Sequence, residues 1–380
     1  MNAQAPTRAI KVALVGASGY GNLYLQRLCD RRMMGEAKLV AAVDIRPPHE
    51  TSLELLKANG SLLLSSLEHC FDFGQIDLVV LANPIHLHAR DSILALWHGA
   101  HVLCEKPAAG SSVDFNAMVD ASREVGRWIS VGFQWSFSQA MSRCRAFLAT
   151  RRMGRPLFGR ARVYWPRPVS YYTRNSWAGR LRSADGRQVN DSPVSNATAH
   201  YLQALFSLVS AATLQPVEVD TVAAMLWRAF DIETFDSTAA SITTKDGVRI
   251  TFCTTHASEC EVGPDLELCF ENGVLKYTKG EGLQALCDGE CLVFGDPEYE
   301  DPMQKLHHCL EAVSAGTLPL SPIDETRAHV EVVERLSSLP VEMWPQSNIA
   351  VREVPGCGKF LTARGMEETL DEVFESSFRL

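Results

Sequence analysis

The pattern of hydrophobic positions divides the chain into two parts. Up to about residue 134, short apolar runs typical of strands buried on both faces are followed by stretches with apolar residues at helical spacing. Repeated strand and helix units of this kind predict a parallel, doubly wound sheet. The predicted strands are residues 10–15, 39–43, 77–82, 101–104 and 128–132, and the predicted helices are residues 22–29, 89–97 and 114–125.

Beyond this point, predicted strands follow one another without helices between them. Lys245-Asp246-Gly247 and Glu271-Asn272-Gly273 are hairpin signals, so a large, mostly antiparallel open sheet is expected. We therefore predict an α/β protein with a doubly wound parallel-sheet domain at 1–134 and an α+β domain at 135–380. The broad sheet predicts a homo-oligomer, either a dimer or a tetramer. The predicted strands are 157–164, 217–226, 237–244, 248–255, 265–271 and 273–278. Helices are predicted again at 303–315 and 324–337. Whether these helices pack on the first domain is left open.

Composition fits a globular protein of two domains and excludes several classes. At 380 residues the chain exceeds the size at which one core stops growing, and 46% hydrophobic and 21% charged residues are ordinary values. A net charge of −9 argues against nucleic-acid partners, and no apolar run is long enough to span a membrane. The polar start and the eleven cysteines predict a cytoplasmic protein with reduced thiols. Without zinc spacing among cysteines and histidines, no metal site is predicted.

A glycine-containing turn follows the first predicted strand and precedes the first predicted helix. Gly16, Gly19 and Gly21 permit a tight turn and close approach of a ligand to the backbone. The helix directs N–H groups and the positive end of its dipole at this turn, where a pyrophosphate can bind. Ser18 stands where the usual G-x-G-x-x-G pattern has its second glycine, and Ser18 and Tyr20 complete the predicted cofactor-binding turn.

An acidic residue ends the second predicted strand, as a dinucleotide site requires. Asp44 can accept hydrogen bonds from both ribose hydroxyls of NAD, whereas Arg46 can pair with the 2′-phosphate of NADP. This context favours a cofactor site over a purely structural turn. We therefore expect residues 1–134 to form an NAD(P)-binding Rossmann domain and residues 135–380 to form the substrate-binding and oligomerisation domain. The expected cofactor is NAD, with NADP left open. Ligands of parallel sheets bind at the carboxyl ends of the strands, where Asn83 and Lys106 also fall.

Several separated motifs occur together in one known family. They are Gly16 to Gly21, Asn83-Pro84 followed by His88, Gly99-Ala100-His101-Val102, Glu105-Lys106-Pro107 and a helix bearing His200. On these motifs the chain resembles the glucose-fructose oxidoreductase and inositol dehydrogenase family, Gfo/Idh/MocA. The resemblance implies NAD(P)-linked hydride transfer at a carbinol carbon of a sugar, cyclitol or sugar acid. It also implies cofactor contacts from Asn83, Pro84, His88, Glu105 and Lys106.

Oxidation of an alcohol needs a base for the hydroxyl proton and a cation near the oxygen. Lys106 can stabilise the developing negative charge, with Glu105 holding the lysine and Pro107 fixing the backbone. His200 is the expected general base, which contributes roughly 10²- to 10⁴-fold in rate.

The surroundings of His200 depart from the family pattern. Ser192-Pro193 predicts a helix start that places Asn196 and His200 four residues apart on one face. The usual residue four positions before the histidine is aspartate, and Asn196 cannot share a proton as a carboxylate does. Asp191 is either a substitute or part of the preceding turn. A distinct substrate, an altered mechanism and loss of activity all stay open.

An arginine-rich stretch follows the first part of the chain. Residues 143–187 contain twelve arginines, no lysine and Asp185 as the one acid, with several aromatic residues between them. Arginine forks suit carboxylate or phosphate, and aromatic faces suit sugar rings. We predict substrate contacts from Arg174, Trp177 and Arg180, and another from Gln134. The alternative is a solvated or subunit-facing surface.

Other functions remain possible for such a chain. One is a glycosidase that retains NAD and acts by transient oxidation. Another, motivated by Asn196, is a catalytically silent NAD(P)-binding regulatory protein. A semialdehyde dehydrogenase is disfavoured because no cysteine nucleophile has a partner histidine in the sequence pattern.

Overall fold

The computed structural model describes residues 8–33 and 35–377. The polar segment 1–7, which led us to expect no secretory leader, lies outside the described residues. The chain forms two compact units. The first extends to Phe137 and takes in Asp301–Thr326, and the second comprises Ser138–Glu300 and the residues from Arg327 onward.

Every strand that the apolar pattern predicts is present, and six further strands in the described residues were not predicted. In the described residues they are, in chain order, β1 Ile10–Val15, β2 Ala37–Val43, β3 Leu62–Leu64, β4 Leu78–Leu81, β5 His101–Cys104, β6 Ile129–Val131, β7 Pro156–Tyr164, β8 Val219–Arg228, β9 Ser237–Thr244, β10 Arg249–Thr255, β11 Val262–Phe270, β12 Gly273–Thr278, β13 Gly282–Cys287, β14 Glu290–Gly295, β15 Glu342–Met343, β16 Ile349–Val354 and β17 Gly358–Ala363.

The helices include several that the sequence pattern did not predict. In chain order they are α1 Gly21–Leu28, α2 Glu50–Asn59, α3 His88–Trp97, α4 Ser112–Val125, α5 Gln139–Ala149, α6 Ser170–Thr173, α7 Ala199–Thr213, α8 Gln304–Ala315, α9 Arg327–Ser337 and α10 Met366–Ser376. Among the described residues, no helix combines the length and apolar character needed to cross a membrane.

The first unit contains a six-stranded parallel sheet. Its strand order is β3-β2-β1-β4-β5-β6. Successive strands are therefore added toward one edge of the sheet from β1 to β3 and toward the other edge from β4 onward, with the switch between β1 and β4. Ligands of doubly wound sheets bind at such a switch point, beyond the carboxyl ends of the strands. Helix α8 contributes Leu306 and Leu310 to the core of this unit, beside Leu14 and Leu103. The predicted Rossmann architecture is confirmed.

The second unit is built on a nine-stranded sheet of order β14-β13-β12-β11-β7-β10-β9-β8-β15. Its pairs are antiparallel except β7 with β10 and β8 with β15. Both predicted hairpins form, between β9 and β10 and between β11 and β12. The large, mostly antiparallel sheet is therefore confirmed, although its strands β13, β14 and β15 were not predicted.

Helices cover part of both faces of this second sheet. A Cβ placed on Gly159 of β7 would lie 3.4 Å from the Leu205 side chain of α7. The alternate residue Arg160 donates to the Phe374 carbonyl of α10 at 2.9 Å, and Arg162 donates to Asp371 at 3.0 Å. Because side chains alternate between the faces of a strand, α7 and α10 lie on opposite sides of β7.

Candidate active site

Steric limits in the turn after β1 differ sharply between its glycines. A Cβ on Gly16, where φ is +84°, would lie 2.7 Å from the Ala82 carbonyl oxygen, and one on Gly21 would lie 1.7 Å from the Gly16 oxygen. Gly19, with φ of +56°, has open space within 4 Å of a Cβ position. Gly16 therefore permits the close approach of the ends of β1 and β4, Gly21 permits the close approach of the start of α1 to Gly16, and Gly19 leaves the turn open to a ligand.

Asp44 lies at the end of β2 and links it to this turn. Its Oδ2 accepts from the Ala17 N–H at 3.2 Å, and its Oδ1 accepts from the Arg46 N–H at 3.1 Å. The carboxylate is half-buried, whereas Arg46, Ser18 and the other residues at the tip of the turn are exposed. The acid is thus oriented at the switch point of the sheet.

His88 joins the ends of β4 and β5. Its Nδ1 lies 2.9 Å from the Pro107 carbonyl oxygen and its Nε2 lies 3.0 Å from the Asn83 carbonyl oxygen. Burial lowers the pKa of His88, and the two carbonyl oxygens oppose this shift. Pro84 directly precedes the short helical turn Ile85–Leu87, which leads to His88. The Asn83 amide donates to Asp91 at 2.6 Å, and its Oδ1 is buried with no hydrogen-bond partner in the described residues, so it offers an acceptor to a ligand.

A buried ion pair lies beside the end of β5. Glu105 Oε1 accepts from the Tyr24 hydroxyl at 2.6 Å and from the Lys305 ammonium of α8. Lys305 also donates to the Tyr20 hydroxyl at 3.0 Å and to the Gly132 carbonyl at 3.4 Å. Its ammonium lies 4.6 Å from the centre of the Tyr20 ring and 5.3 Å from that of the Tyr24 ring. The cation is therefore enclosed by a carboxylate, a carbonyl and two aromatic rings.

The two charges of this pair stabilise each other. Burial alone would raise the pKa of Glu105, but the charge and hydrogen bond of Lys305 leave it below 4.5. Burial alone would lower the pKa of Lys305, but Glu105 and Tyr20 leave it above 10.5. Both groups are ionised at neutral pH as a result.

Lys305 was not predicted as a functional residue from the sequence. One signal was present, because Lys305, Cys309 and Ala312 follow the i, i+4, i+7 spacing of the apolar side of the helix. A lysine on that side is unusual unless it is paired.

Lys106 follows directly after this ion pair. Its backbone N–H donates to Glu105 Oε2 at 3.3 Å, its peptide bond to Pro107 is cis, and its side chain is half-buried. Glu105 thus holds the backbone of Lys106, while its buried ionic partner is Lys305. Gln134, the first residue of the turn Gln134–Phe137 after β6, is also half-buried in this unit.

The segment that carries His200 differs from the predicted helix. Helix α7 begins at Ala199, so the predicted start at Ser192-Pro193, with Asn196 and His200 on one helical face, is wrong. The Ser195 hydroxyl accepts from the Ser192 N–H at 2.8 Å and donates to a backbone carbonyl at 2.8 Å. These local side-chain bonds favour a turn over the first turns of a helix. His200 is half-buried in the first turn of α7.

Asp191 places a buried carboxylate beside this turn. Its Oδ1 accepts from the Asn196 amide at 2.8 Å, and its Oδ2 accepts from the Gly179 N–H at 2.7 Å and lies 3.8 Å from the Arg174 guanidinium. The segment thus keeps a carboxylate although Asn196 replaces the usual aspartate.

The three predicted substrate contacts in the arginine-rich stretch separate into two settings. The Arg174 guanidinium lies 3.8 Å from the centre of the Tyr171 ring and 5.4 Å from that of Trp177. Arg180 instead forms an exposed ion pair with Glu233 at 2.7 Å. The structure brings Arg174 and Trp177 together, and the substrate roles of all three residues stay predictions.

Comparison with protein families identifies the class of the first unit. Residues 10–133 match the family described as "Oxidoreductase family, NAD-binding Rossmann fold", Gfo/Idh/MocA. Over these residues the chain is similar to that family, in agreement with the resemblance of the motifs.

Curated relatives align over the same part of the chain. The 1-carboxy-3-chloro-3,4-dihydroxycyclohexa-1,5-diene dehydrogenase of Comamonas testosteroni is 30% identical over 146 residues, which cover 38% of this chain and 36% of the relative. An inositol 2-dehydrogenase of Streptomyces avermitilis is 29% identical over 153 residues, which cover 40% of this chain and 43% of the relative. The chain therefore spans less than half the length of these relatives.

Solved structures extend the likeness in fold to most of the chain. A WlbA dehydrogenase from Chromobacterium violaceum, solved with NADH and UDP-GlcNAcA, has a TM-score of 0.71 at 22% identity, covering 88% of this chain and 95% of its own. A levoglucosan dehydrogenase solved with NADH has a TM-score of 0.70 at 16% identity, covering 87% and 97%. At these identities the comparison establishes the fold.

Two glycine variants separate folding from cofactor binding. Gly19→Ala is expected to cost about 1–2 kcal/mol, because alanine is strained at positive φ but meets open space. It should still weaken NADH binding about tenfold or more by blocking backbone approach. Gly21→Ala is expected to cost more than about 3 kcal/mol, since the backbone must shift. Thermal unfolding and NADH fluorescence titration measure both effects. Unchanged NADH affinity in Gly19→Ala would contradict the assignment of the turn.

Removal of Lys305 tests the buried ion pair. Lys305→Met is expected to lower the free energy of unfolding by about 3–5 kcal/mol at pH 7, because Glu105 is left buried and unpaired. The stability from Glu105, whose folded pKa lies below 4.5, is present above that pH and lost on acidification, and that from Lys305 is lost only above pH 10.5. Without Lys305, burial raises the pKa of Glu105 in the folded variant, so the loss should grow with pH through the neutral range and shrink as the pH falls to about 4 and below.

Two further variants serve as comparisons, and the free energy of unfolding of each is measured by denaturant titration. Glu105→Gln in the Lys305→Met background removes both charges and should recover part of the loss. Lys245→Met, which breaks an exposed pair with Glu218, should have no measurable effect. A loss in Lys305→Met that is equally large at pH 4 and pH 7 is inconsistent with the assigned charges.

Proposed function

We propose that the protein is an NAD(P)-dependent oxidoreductase that transfers a hydride between nicotinamide and a carbinol carbon of a sugar, cyclitol or sugar acid. The observation that carries the proposal is the end of β5, where Glu105, paired with Lys305, holds the backbone of Lys106 within a domain similar to an NAD-binding oxidoreductase family. The names of the relatives, dehydrogenases of inositol and of a dihydroxy ring, support the same class of substrate.

The residues of the first unit fit a dinucleotide. The open position at Gly19 is suited to phosphate, and the carboxylate of Asp44 is suited to the ribose hydroxyls. The buried Oδ1 of Asn83 can accept a hydrogen bond from a donor group of the cofactor. When bound, the nicotinamide accepts or supplies the hydride. Asp44 favours NAD, and the exposed Arg46 leaves NADP as a second cofactor.

The chain's own residues supply the remaining chemistry. Lys106 hydrogen-bonds the substrate oxygen and stabilises its negative charge, while a ring nitrogen of His200 takes the hydroxyl proton. Asn196, held by Asp191, orients a substrate hydroxyl through its amide. Arg174, Trp177, Arg180 and Gln134 are the proposed substrate contacts.

A substrate screen with site variants tests this proposal. Polyols, sugars and sugar acids are supplied with NAD and NADP separately, and NADH or NADPH absorbance is followed. Lys106→Ala and His200→Ala are each expected to lower kcat/KM by roughly 10²- to 10⁴-fold, with NADH affinity changed less than tenfold. Asn196→Asp restores the usual carboxylate and should keep activity.

The outcomes separate the alternative functions. Release of an aglycone without net reduction of NAD would indicate a glycosidase. Tight NADH binding with no turnover of any substrate would indicate a silent regulatory protein. Undiminished turnover in both alanine variants would refute the assignment of Lys106 and His200. Arg123→Gln, which breaks an exposed pair with Asp324, is the control for general effects of charge removal.

We also propose a homo-oligomer, a dimer or tetramer, formed through the second sheet. Leu286, Val293 and Met225 are exposed on the sheet, and alternation along the paired strands puts them on the face that carries Arg162. A second copy of the chain would bury these apolar side chains. All eleven cysteines are free thiols, which favours a reducing compartment such as the cytoplasm.

Mass measurement by light scattering tests the assembly. The protein is expected at two or four times the 41.9 kDa of one chain. Leu286→Glu should shift it toward the single-chain mass by placing a charge in the interface. Val351→Glu, on the separate two-stranded sheet, is the control and should keep the larger mass. A single-chain mass for the unmodified protein would contradict the proposal.

A further inference from the structure

Arg167 in the second unit carries a buried N–H group without a protein acceptor. Its Nε is inaccessible to solvent and has no hydrogen-bond partner in the described part of the chain. Its backbone is fixed, because the Arg167 N–H donates to the His256 carbonyl at 3.1 Å. Its guanidinium lies 3.9 Å from the centre of the Trp165 ring and 5.2 Å from that of Tyr171. The side chain is therefore held by aromatic faces.

The charges around Arg167 do not neutralise it. Burial, the largest effect, and the nearby Arg174 both lower its pKa. Glu261 opposes this at a distance, but that carboxylate is paired with Lys279 at 2.6 Å. The Tyr171 and Tyr172 hydroxyls also oppose it, yet burial raises their own pKa values, so they stay neutral. A half-buried cation with an unmade hydrogen bond is costly, and aromatic faces offset only part of that cost.

Arg174 adds a second cation to the same cluster. Both guanidinium groups lie over the Tyr171 ring, and both charges lower the pKa of the buried His256. Asp191, 3.8 Å from Arg174, already accepts hydrogen bonds from Asn196 and Gly179 on its two oxygens. The cluster of Arg167, Arg174 and their aromatic neighbours thus has an excess of positive charge next to the segment that carries Asn196.

We propose that Arg167 and Arg174 form an oxyanion subsite that binds a carboxylate or phosphate group of the substrate. The inference rests on the proposed function and narrows its substrate class from sugars in general to acidic sugars. Arginine forks stacked on aromatic rings are pre-organised for two parallel hydrogen bonds to such a group. Carboxylate and phosphate share this chemistry, and titration with a ligand of each kind shows which of the two groups the subsite binds.

Binding without cofactor tests the subsite. Calorimetric titration and tryptophan fluorescence are measured with D-glucuronate, D-gluconate and glucose 6-phosphate, each against glucose. Arg167→Gln is expected to weaken the best anionic ligand about tenfold or more and to leave glucose unchanged, because only the charged hydrogen bonds are lost. Arg167→Lys keeps the charge without the fork and should show an intermediate loss. Arg155→Gln, at an exposed pair with Glu271, is the matched control and should behave as the unmodified protein.

Further outcomes decide the inference. Equal losses for glucose and the anions, or no preference of the unmodified protein for any anion over glucose, would overturn it. If Arg167→Gln does not fold, Arg174→Gln and Arg167→Lys carry the same comparison. If neutral polyols are turned over but the Arg167 variants bind acids as tightly as the unmodified protein does, the proposed function holds and the anion subsite is refuted. If anion binding depends on Arg167 but no substrate is turned over with NAD or NADP, the subsite holds and the proposed function is refuted.

Discussion

One buried ion pair constrains the first unit. A lone ammonium at the position of Lys305 would be too costly to bury, and the pair is tolerated because the groups around it are satisfied. Glu105 provides the opposite charge, and Tyr20 and the Gly132 carbonyl accept further hydrogen bonds. Gly132 leaves room for this carboxylate, because a Cβ there would lie 2.9 Å from Glu105 Oε1. The end of β5, from which Lys106 extends, is fixed by this arrangement.

The neighbouring strand ends are held in the same way, by contacts that exist without a ligand. Gly16 permits the close approach of β1 to β4, and His88 connects the ends of β4 and β5. Asp44 is oriented by two backbone N–H groups. Because the binding groups are already in place, little ordering is needed when a cofactor binds, and more of the interaction energy appears as affinity.

Local pattern was sufficient to predict most of the fold. Strands β5, β9 and β12 match their predicted limits, and both Gly-containing hairpins form. The parts that could not be predicted depend on contacts distant in sequence or on competing local bonds. Glu105 and Lys305 are 200 residues apart, so no short motif contains their pairing. The Ser192-Pro193 signal was overridden by hydrogen bonds of Ser195 that stabilise a turn.

The arginine-rich stretch shows what charge counting leaves out. Five of its twelve arginines are paired with acids distant in the sequence, so a run without nearby acids is not a uniformly basic surface. Those pairs are Arg152 with Asp288 and Glu290, Arg155 with Glu271, Arg160 with Glu267, Arg162 with Asp265 and Asp371, and Arg180 with Glu233. Arg167 differs from them, because its fixed surroundings are ring faces. Ring faces attract a cation but do not accept its in-plane N–H groups. A carboxylate partner within the protein would satisfy those groups permanently, whereas aromatic packing orients the guanidinium and leaves its hydrogen bonds to a ligand.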